Sequence, residues 1–191
     1  MRKVLSIIFI CISFFIFADK YDDFFIKVKE TSNFLRSKIN TNPKLMIVLT
    51  CFVNGPEEEL LDKKEISSSE IPNFPKASAQ GHEGKLVFGK LNGVDVVLLK
   101  GRYHYYEGHS VLDVVFPYFV LNDLGVVDLI TVNAVGGIRF DLNPGDIFLI
   151  NDHINMYGKN PLRGIALKRE ENQFTEDARK APKFIYGDIR A

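Results

Sequence analysis

KLVFGKLNGVDVVLLKG (Lys85–Gly101) decides how this chain folds. Two apolar runs flank Asn92-Gly93, a pair of residues that enters the left-handed conformation at little cost and joins antiparallel strands in a two-residue turn. The second run, Val94 to Leu99, is apolar except for Asp95, as in a strand that is mostly buried. Reading outward, LMIVLTCFV (Leu45–Val53) is a continuous apolar run rich in β-branched residues, and VVDLITV (Val126–Val132) predicts another buried strand. DIFLIND (Asp146–Asp152) predicts one more strand. Between the runs the period changes. Phe24, Phe25, Val28, Phe34, Leu35 and Ile39 recur at helical spacing within Asp22–Ile39. Ser110–Leu124 predicts a helix with Ser110 as N-cap, Gly125 as its stop, and Pro117 as a bend or interruption. A polar, acidic stretch runs from Asn54 to about Glu70, and IPNFPKASAQGHEG after it predicts a long irregular loop. Strands alternating with helices around one hairpin predict an α/β fold with a mixed, mostly buried β-sheet flanked by helices.

Bulk composition narrows the function. The chain has 191 residues, with 24 basic residues balancing 24 acidic ones. No net field draws it to nucleic acid or to an acidic membrane surface. MRKVLSIIFICISFFIFADK opens with Arg2 and Lys3, continues with an apolar run from Val4 to Phe17, and reaches a small residue at Ala18. This is the pattern of a secretory signal peptide over residues 1–18, and the apolar run is short for a membrane span. It predicts an exported protein, periplasmic or extracellular, cytoplasmic if the leader is not used, with membrane contact only through an uncleaved leader. Loss of Met1–Ala18 leaves 22 basic residues against 24 acidic ones and Cys51 as the sole cysteine, so no disulfide forms within the mature chain.

Two segments leaving strand ends carry the polar chemistry, and such loops are where α/β sheets bind ligands. The first is GRYHYYEG (Gly101–Gly108). Arg102 offers a planar fork of donors suited to phosphate or carboxylate. In an extended segment Arg102, His104 and Tyr106 share a face, and Glu107 can fix or neutralise the cations. The second is NAVGG (Asn133–Gly137), whose backbone N–H groups can complete an anion cradle. These residues read either as a small-oxyanion site or as a satisfied structural cluster. His82, His109 and His153 are scattered without metal-ligand spacing and read as structural.

The blocks YDDFFIKVKETSNFL, SEIPNFPKASAQGHEGKLVFGKLNG, GRYHYYEGHS, LGVVDLITVNAVGG and NPGDIFLINDHINMYGKNPLRG together span about Tyr21–Gly164. On these the chain resembles the trimeric purine nucleoside phosphorylases and their methylthioadenosine-cleaving relatives. The resemblance implies phosphorolysis of a purine nucleoside to free base and ribose 1-phosphate. Inorganic phosphate is the co-substrate, with no metal or organic cofactor, and the assembly is a homotrimer. It implies phosphate binding by Arg102, His104, the backbone N–H of Ala134, and Cys51. The catalytic pair is His104 with Glu107, which orients the loop. Tyr106, Asn133 and His82 lie on the substrate side, His82 in the loop over the phosphate.

The chain departs from that family's pattern in two places. Cys51 stands where the family has a phosphate-binding serine, and Thr50 and Phe52 stand where it has glycines. After NPLRG the similarity fades, and NQFTEDARKAPKFIYGDIRA (Asn172–Ala191) matches nothing that follows in the family, including its purine-binding glutamate and asparagine. Residues 19–191 are thus expected to be an incomplete phosphorylase-like domain, truncated at its C-terminus. The other readings are an exported non-catalytic binder of a nucleoside or phosphate, and a degenerate fragment.

Overall fold

The structure, a computed structural model, describes residues 21–49, 55–75, 84–152 and 154–162. A helix over residues 21–38 (α1) precedes β1 (Leu45–Leu49) and β2 (Leu61–Ser67). The hairpin β3 (Lys85–Leu91) and β4 (Val94–Lys100) follows, then α2 (Val111–Asp123) and β5 (Asp128–Thr131). The five strands form one sheet in the order β2-β3-β4-β1-β5. β2 and β4 run antiparallel to β3, whereas β4 and β5 run parallel to the β1 between them. The sheet is therefore mixed, as its alternation of elements required.

The hairpin turns where the sequence says it must. Asn92 and Gly93 take φ of 50° and 82°, and Leu91 pairs with Val94 across the turn. Alternate residues of the strands separate two apolar faces. Met46, Val48, Leu86, Phe88, Val97 and Leu99 pack with Phe24, Val28 and Leu35 of α1 and Phe116, Val120 and Leu121 of α2. Ile47, Leu49, Val87, Val96 and Leu98 form a smaller cluster on the opposite face with Leu60. Both described helices thus cover the same face. Each fully buried side chain of this size contributes roughly 1.5–3 kcal/mol by leaving water.

The buried stripe of α1 also contains Thr31 and Ser32, both fully buried. Their hydroxyls are satisfied. Thr31 donates to the Pro72 carbonyl at 2.9 Å, and Ser32 donates to the Asp123 carboxylate at 2.6 Å. Asp123 also holds Arg36 at 3.1 Å and Lys29, so the end of α2 is clamped to α1 by one carboxylate.

α2 begins with a capping box. Ser110 Oγ accepts the Asp113 N–H at 3.2 Å, and the Asp113 carboxylate accepts the Ser110 N–H at 2.9 Å. It ends at Gly125 (φ +108°), with Val126 N–H on the Leu121 carbonyl and Gly125 N–H on the Asn122 carbonyl. That pair of bonds is the Schellman closure. Pro117, expected to bend or interrupt the helix, leaves α2 continuous over Val111–Asp123. It is buried in the middle of α2, so its ring adds to the apolar interior while removing one helix hydrogen bond.

The polar stretch before Glu70, for which the sequence suggests no element, contains β2 and a 3-10 turn (Ser68–Glu70). β2 is an edge strand held by its main chain, with its first five side chains exposed, so it needs no apolar period. Its close approach is recorded in the partner: a Cβ on Gly89 would lie 2.8 Å from the Leu61 carbonyl oxygen. Asp146–Asp152, expected to be a strand, forms none. Ile147 and Leu149 stand 98% and 92% exposed, because alternation supplies side-chain faces but not the partner edge that makes a strand. The leader, Thr50–Asn54, Lys76–Glu83, His153 and everything after Leu162 lie outside the described residues.

Candidate active site

The parallel strands β4, β1 and β5 all end at one edge of the sheet. The two polar loops leave from there. Gly101 N–H is bound to the Leu49 carbonyl at 3.2 Å and Val132 N–H to the Val48 carbonyl at 3.0 Å, so both loops are tied to the end of β1. Only β1 separates β4 from β5, a spacing of about 10 Å between their axes. One long side chain can cross it, and Arg102 does.

Arg102 Nη1 donates to Asn133 Oδ1, and its Nε donates to His104 Nε2 at 3.1 Å. The second bond fixes a proton. Nε2 of His104 must present a lone pair, so the neutral ring carries its hydrogen on Nδ1. That Nδ1 faces Glu107 Oε1 at 2.5 Å and donates to it. The result is a chain from Asn133 through Arg102 and His104 to Glu107. Among the described residues no carboxylate pairs with Arg102, and both groups holding it are neutral acceptors. The Glu107 carboxylate lies beyond the imidazole and is only 6% exposed.

The loop is extended only as far as His104. Tyr105–Glu107 is a 3-10 turn closed by Gly108 at φ +93°. Tyr106 still joins the cluster, because the turn stacks its ring on His104 at 4.8 Å and 22°. It remains 72% exposed, open to a ligand. Burial pushes the hydroxyl of Tyr118, on α2, above its usual range, and the nearby Arg102 charge works against that rise.

The structure therefore brings together Arg102, His104, Tyr106, Glu107 and Asn133. Ala134 follows Asn133 and is exposed. Cys51 and His82 lie outside the described residues. The sequence reading missed Tyr157 and Lys159. Tyr157 packs edge-on against Tyr105 at 5.7 Å, and Lys159 lies 6.0 Å over the same ring. No local spacing announces that contact.

Residues 47–183 match the model of the phosphorylase superfamily. The chain belongs to that superfamily. The matched span runs past Gly164, where the resemblance was expected to fade. Purine nucleoside phosphorylase 1 of Geobacillus stearothermophilus is 42% identical over 137 residues, covering 72% of this chain and 50% of the relative. The purine nucleoside phosphorylase of Schistosoma mansoni in complex with inosine superposes with a TM-score of 0.58 at 37% identity. That match covers 63% of this chain and 42% of the other. A purine nucleoside phosphorylase in complex with ribose 1-phosphate superposes with a TM-score of 0.58 at 36% identity, over 62% of this chain and 44% of the other. The chain spans about half the length of the curated relatives it matches first.

Proposed function

We propose that this chain carries the phosphate-and-sugar loop of a purine nucleoside phosphorylase, and that its reaction is phosphorolysis of a purine nucleoside to free base and ribose 1-phosphate. The observation that carries the reading is Arg102, ordered by two neutral acceptors with its charge unspent. A guanidinium in that state is a prepared oxyanion site. Phosphate would take Arg102, His104 and the Ala134 N–H, with Cys51 as the fourth contact. Tyr106 would lie beside the sugar, with Asn133 on the substrate side and His82 in the loop over the phosphate.

The glycosidic C1′–N bond breaks as a phosphate oxygen bonds C1′; the base leaves with the bonding pair and takes up the proton that hydrogen phosphate gives up on becoming the sugar ester. Positive charge develops on the sugar and is stabilised by the bound phosphate, so the protein acts by placing the anion and orienting the sugar. His104 holds its proton on Nδ1 against Glu107; its one Nε2 lone pair takes the Arg102 Nε–H and would accept from a protonated phosphate oxygen only in exchange for that bond. The chemistry takes phosphate as co-substrate and draws on no metal or organic cofactor. The reading includes a homotrimer and export through residues 1–18, for which the supports are the family and the leader pattern; a mature N-terminus at Asp19 in the exported fraction tests the second.

The experiment is phosphorolysis by the purified chain with inosine, guanosine or methylthioadenosine, with and without phosphate, beside Arg102→Ala. Phosphate-dependent base release that disappears in the variant is expected. Base release independent of phosphate, or unaffected in Arg102→Ala, refutes the assignment.

A further inference from the structure

We propose that His109 is a positioning residue of this site, acting on His104 through the carboxylate of Glu107. The inference rests on the phosphate-site reading for its consequence but not for its geometry. Glu107 lies between two imidazoles. Its Oε1 takes the His104 proton, and its Oε2 faces His109 Nε2 at 3.7 Å. The His109 side chain is 17% exposed, and its Nε2 is buried and makes no hydrogen bond. Such a nitrogen is costly to leave without a partner. Among the described residues the one acidic group against it is Glu107. The left-handed Gly108 reverses the chain after the 3-10 turn and returns His109 to the carboxylate two residues back. The ring is held there edge-on against buried Tyr103, 5.5 Å away at 81°.

This arrangement gives each carboxylate oxygen its own imidazole. With the proton of His109 on Nε2, its N–H points at Oε2 and resists rotation of the carboxylate, so Oε1 stays on His104. A fixed Oε1 keeps the His104 proton on Nδ1 and its Nε2 lone pair on the Arg102 Nε–H, so the guanidinium keeps its orientation. The titratable groups around His109 are Glu107 and Tyr103 of its own loop, with His104 across the carboxylate. Tyr118 of α2 faces Arg102 instead.

Nitrogen-15 NMR of the imidazoles in the full chain tests this. In the unsubstituted protein His109 is expected to be protonated on Nε2 and His104 on Nδ1. A bare Nε2 on His109 overturns the proposal with no variant needed. His109→Phe keeps the ring against Tyr103 and removes the donor. It is expected to give His104 mixed tautomers and to weaken binding of inorganic phosphate about three- to tenfold. His109→Gln, which returns an N–H near Oε2, is expected to recover both. Unchanged His104 nitrogen shifts in a folded His109→Phe refute the linkage. Absence of phosphate binding by the unsubstituted protein refutes the site reading instead, and the tautomers of the ligand-free protein still decide the role of His109.

Discussion

Asp123→Asn tests whether the carboxylate clamp between the two helices holds the fold as its geometry implies. The Asp123 side chain is 7% exposed and receives Lys29, Ser32 and Arg36. Burial alone would raise its pKa. The hydrogen bonds from Lys29, Ser32 and Arg36, together with the Lys29 charge, outweigh it and leave the pKa below the ordinary value. Asparagine keeps the shape but sets an NH2 against donors. Lys29 and Arg36 are 64% and 45% exposed and can turn to water, so each loses at most about 1 kcal/mol. Ser32 is buried, and weakening its charge-assisted bond costs about 1 kcal/mol more. The expected loss is about 2–3 kcal/mol, a fall in Tm of roughly 5–10 °C for a chain of this size. The pH dependence has a definite sign. A depressed folded-state pKa gives stability that is complete above the unfolded value, about pH 4, and lost as pH falls through the folded value. Thermal unfolding followed by circular dichroism should therefore show a gap between the two proteins at pH 7 that closes toward pH 3. Equal Tm values at pH 7, or a gap of the same size at pH 3, would refute the reasoning.

Three other substitutions probe separate links. Asn133→Asp places a carboxylate on Arg102 and should weaken phosphate binding at least about a hundredfold by charge repulsion at close range; calorimetric titration showing an unchanged affinity would contradict the site. Gly89→Ala puts a Cβ against the Leu61 carbonyl and should cost about 1–3 kcal/mol, read as loss of hydrogen-exchange protection in β2. Unchanged protection there would mean that β2 does not need the close approach. Ser110→Ala removes the capping box of α2 and should cost about 1 kcal/mol, a Tm lower by roughly 2–4 °C, while leaving the His104 tautomer as it was.

The parts of the fold legible in the sequence are those whose signal is local. Asn92-Gly93 announces its turn by what those two residues tolerate. Ser110 and Gly125 mark the ends of α2 because unsatisfied helix termini demand them. β2 is illegible for the opposite reason. LDKKEIS is held by main-chain bonds to β3, and the residue that permits the contact, Gly89, lies in another strand. Asp146–Asp152 errs in the other direction, since its period needs an edge that the sequence cannot supply. The site divides in the same way. Arg102, His104, Tyr106 and Glu107 are one short loop and could be read together. The bond from Arg102 to Asn133 joins residues 31 positions apart, and only the strand order β4-β1-β5 makes it possible. His109 reads as structural in the sequence because spacing does not reveal the reversal at Gly108.

That strand order also explains how the site can order an arginine without neutralising it. The simplest way to fix a guanidinium is a carboxylate, and Glu107 is available in the same loop. Direct pairing would cancel the charge that an oxyanion needs. Here the imidazole of His104 stands between them, taking a hydrogen bond from Arg102 on one nitrogen and giving one to Glu107 from the other. The carboxylate polarises the ring without touching the guanidinium, and the remaining restraint comes from the uncharged amide of Asn133. On the proposed reading, an incoming phosphate would meet a cation already held in position, so less of its binding energy would go into ordering the side chain. Reversing the order of the groups, with Glu107 on Arg102 and His104 outside, would use the same residues and produce a salt bridge instead of a site.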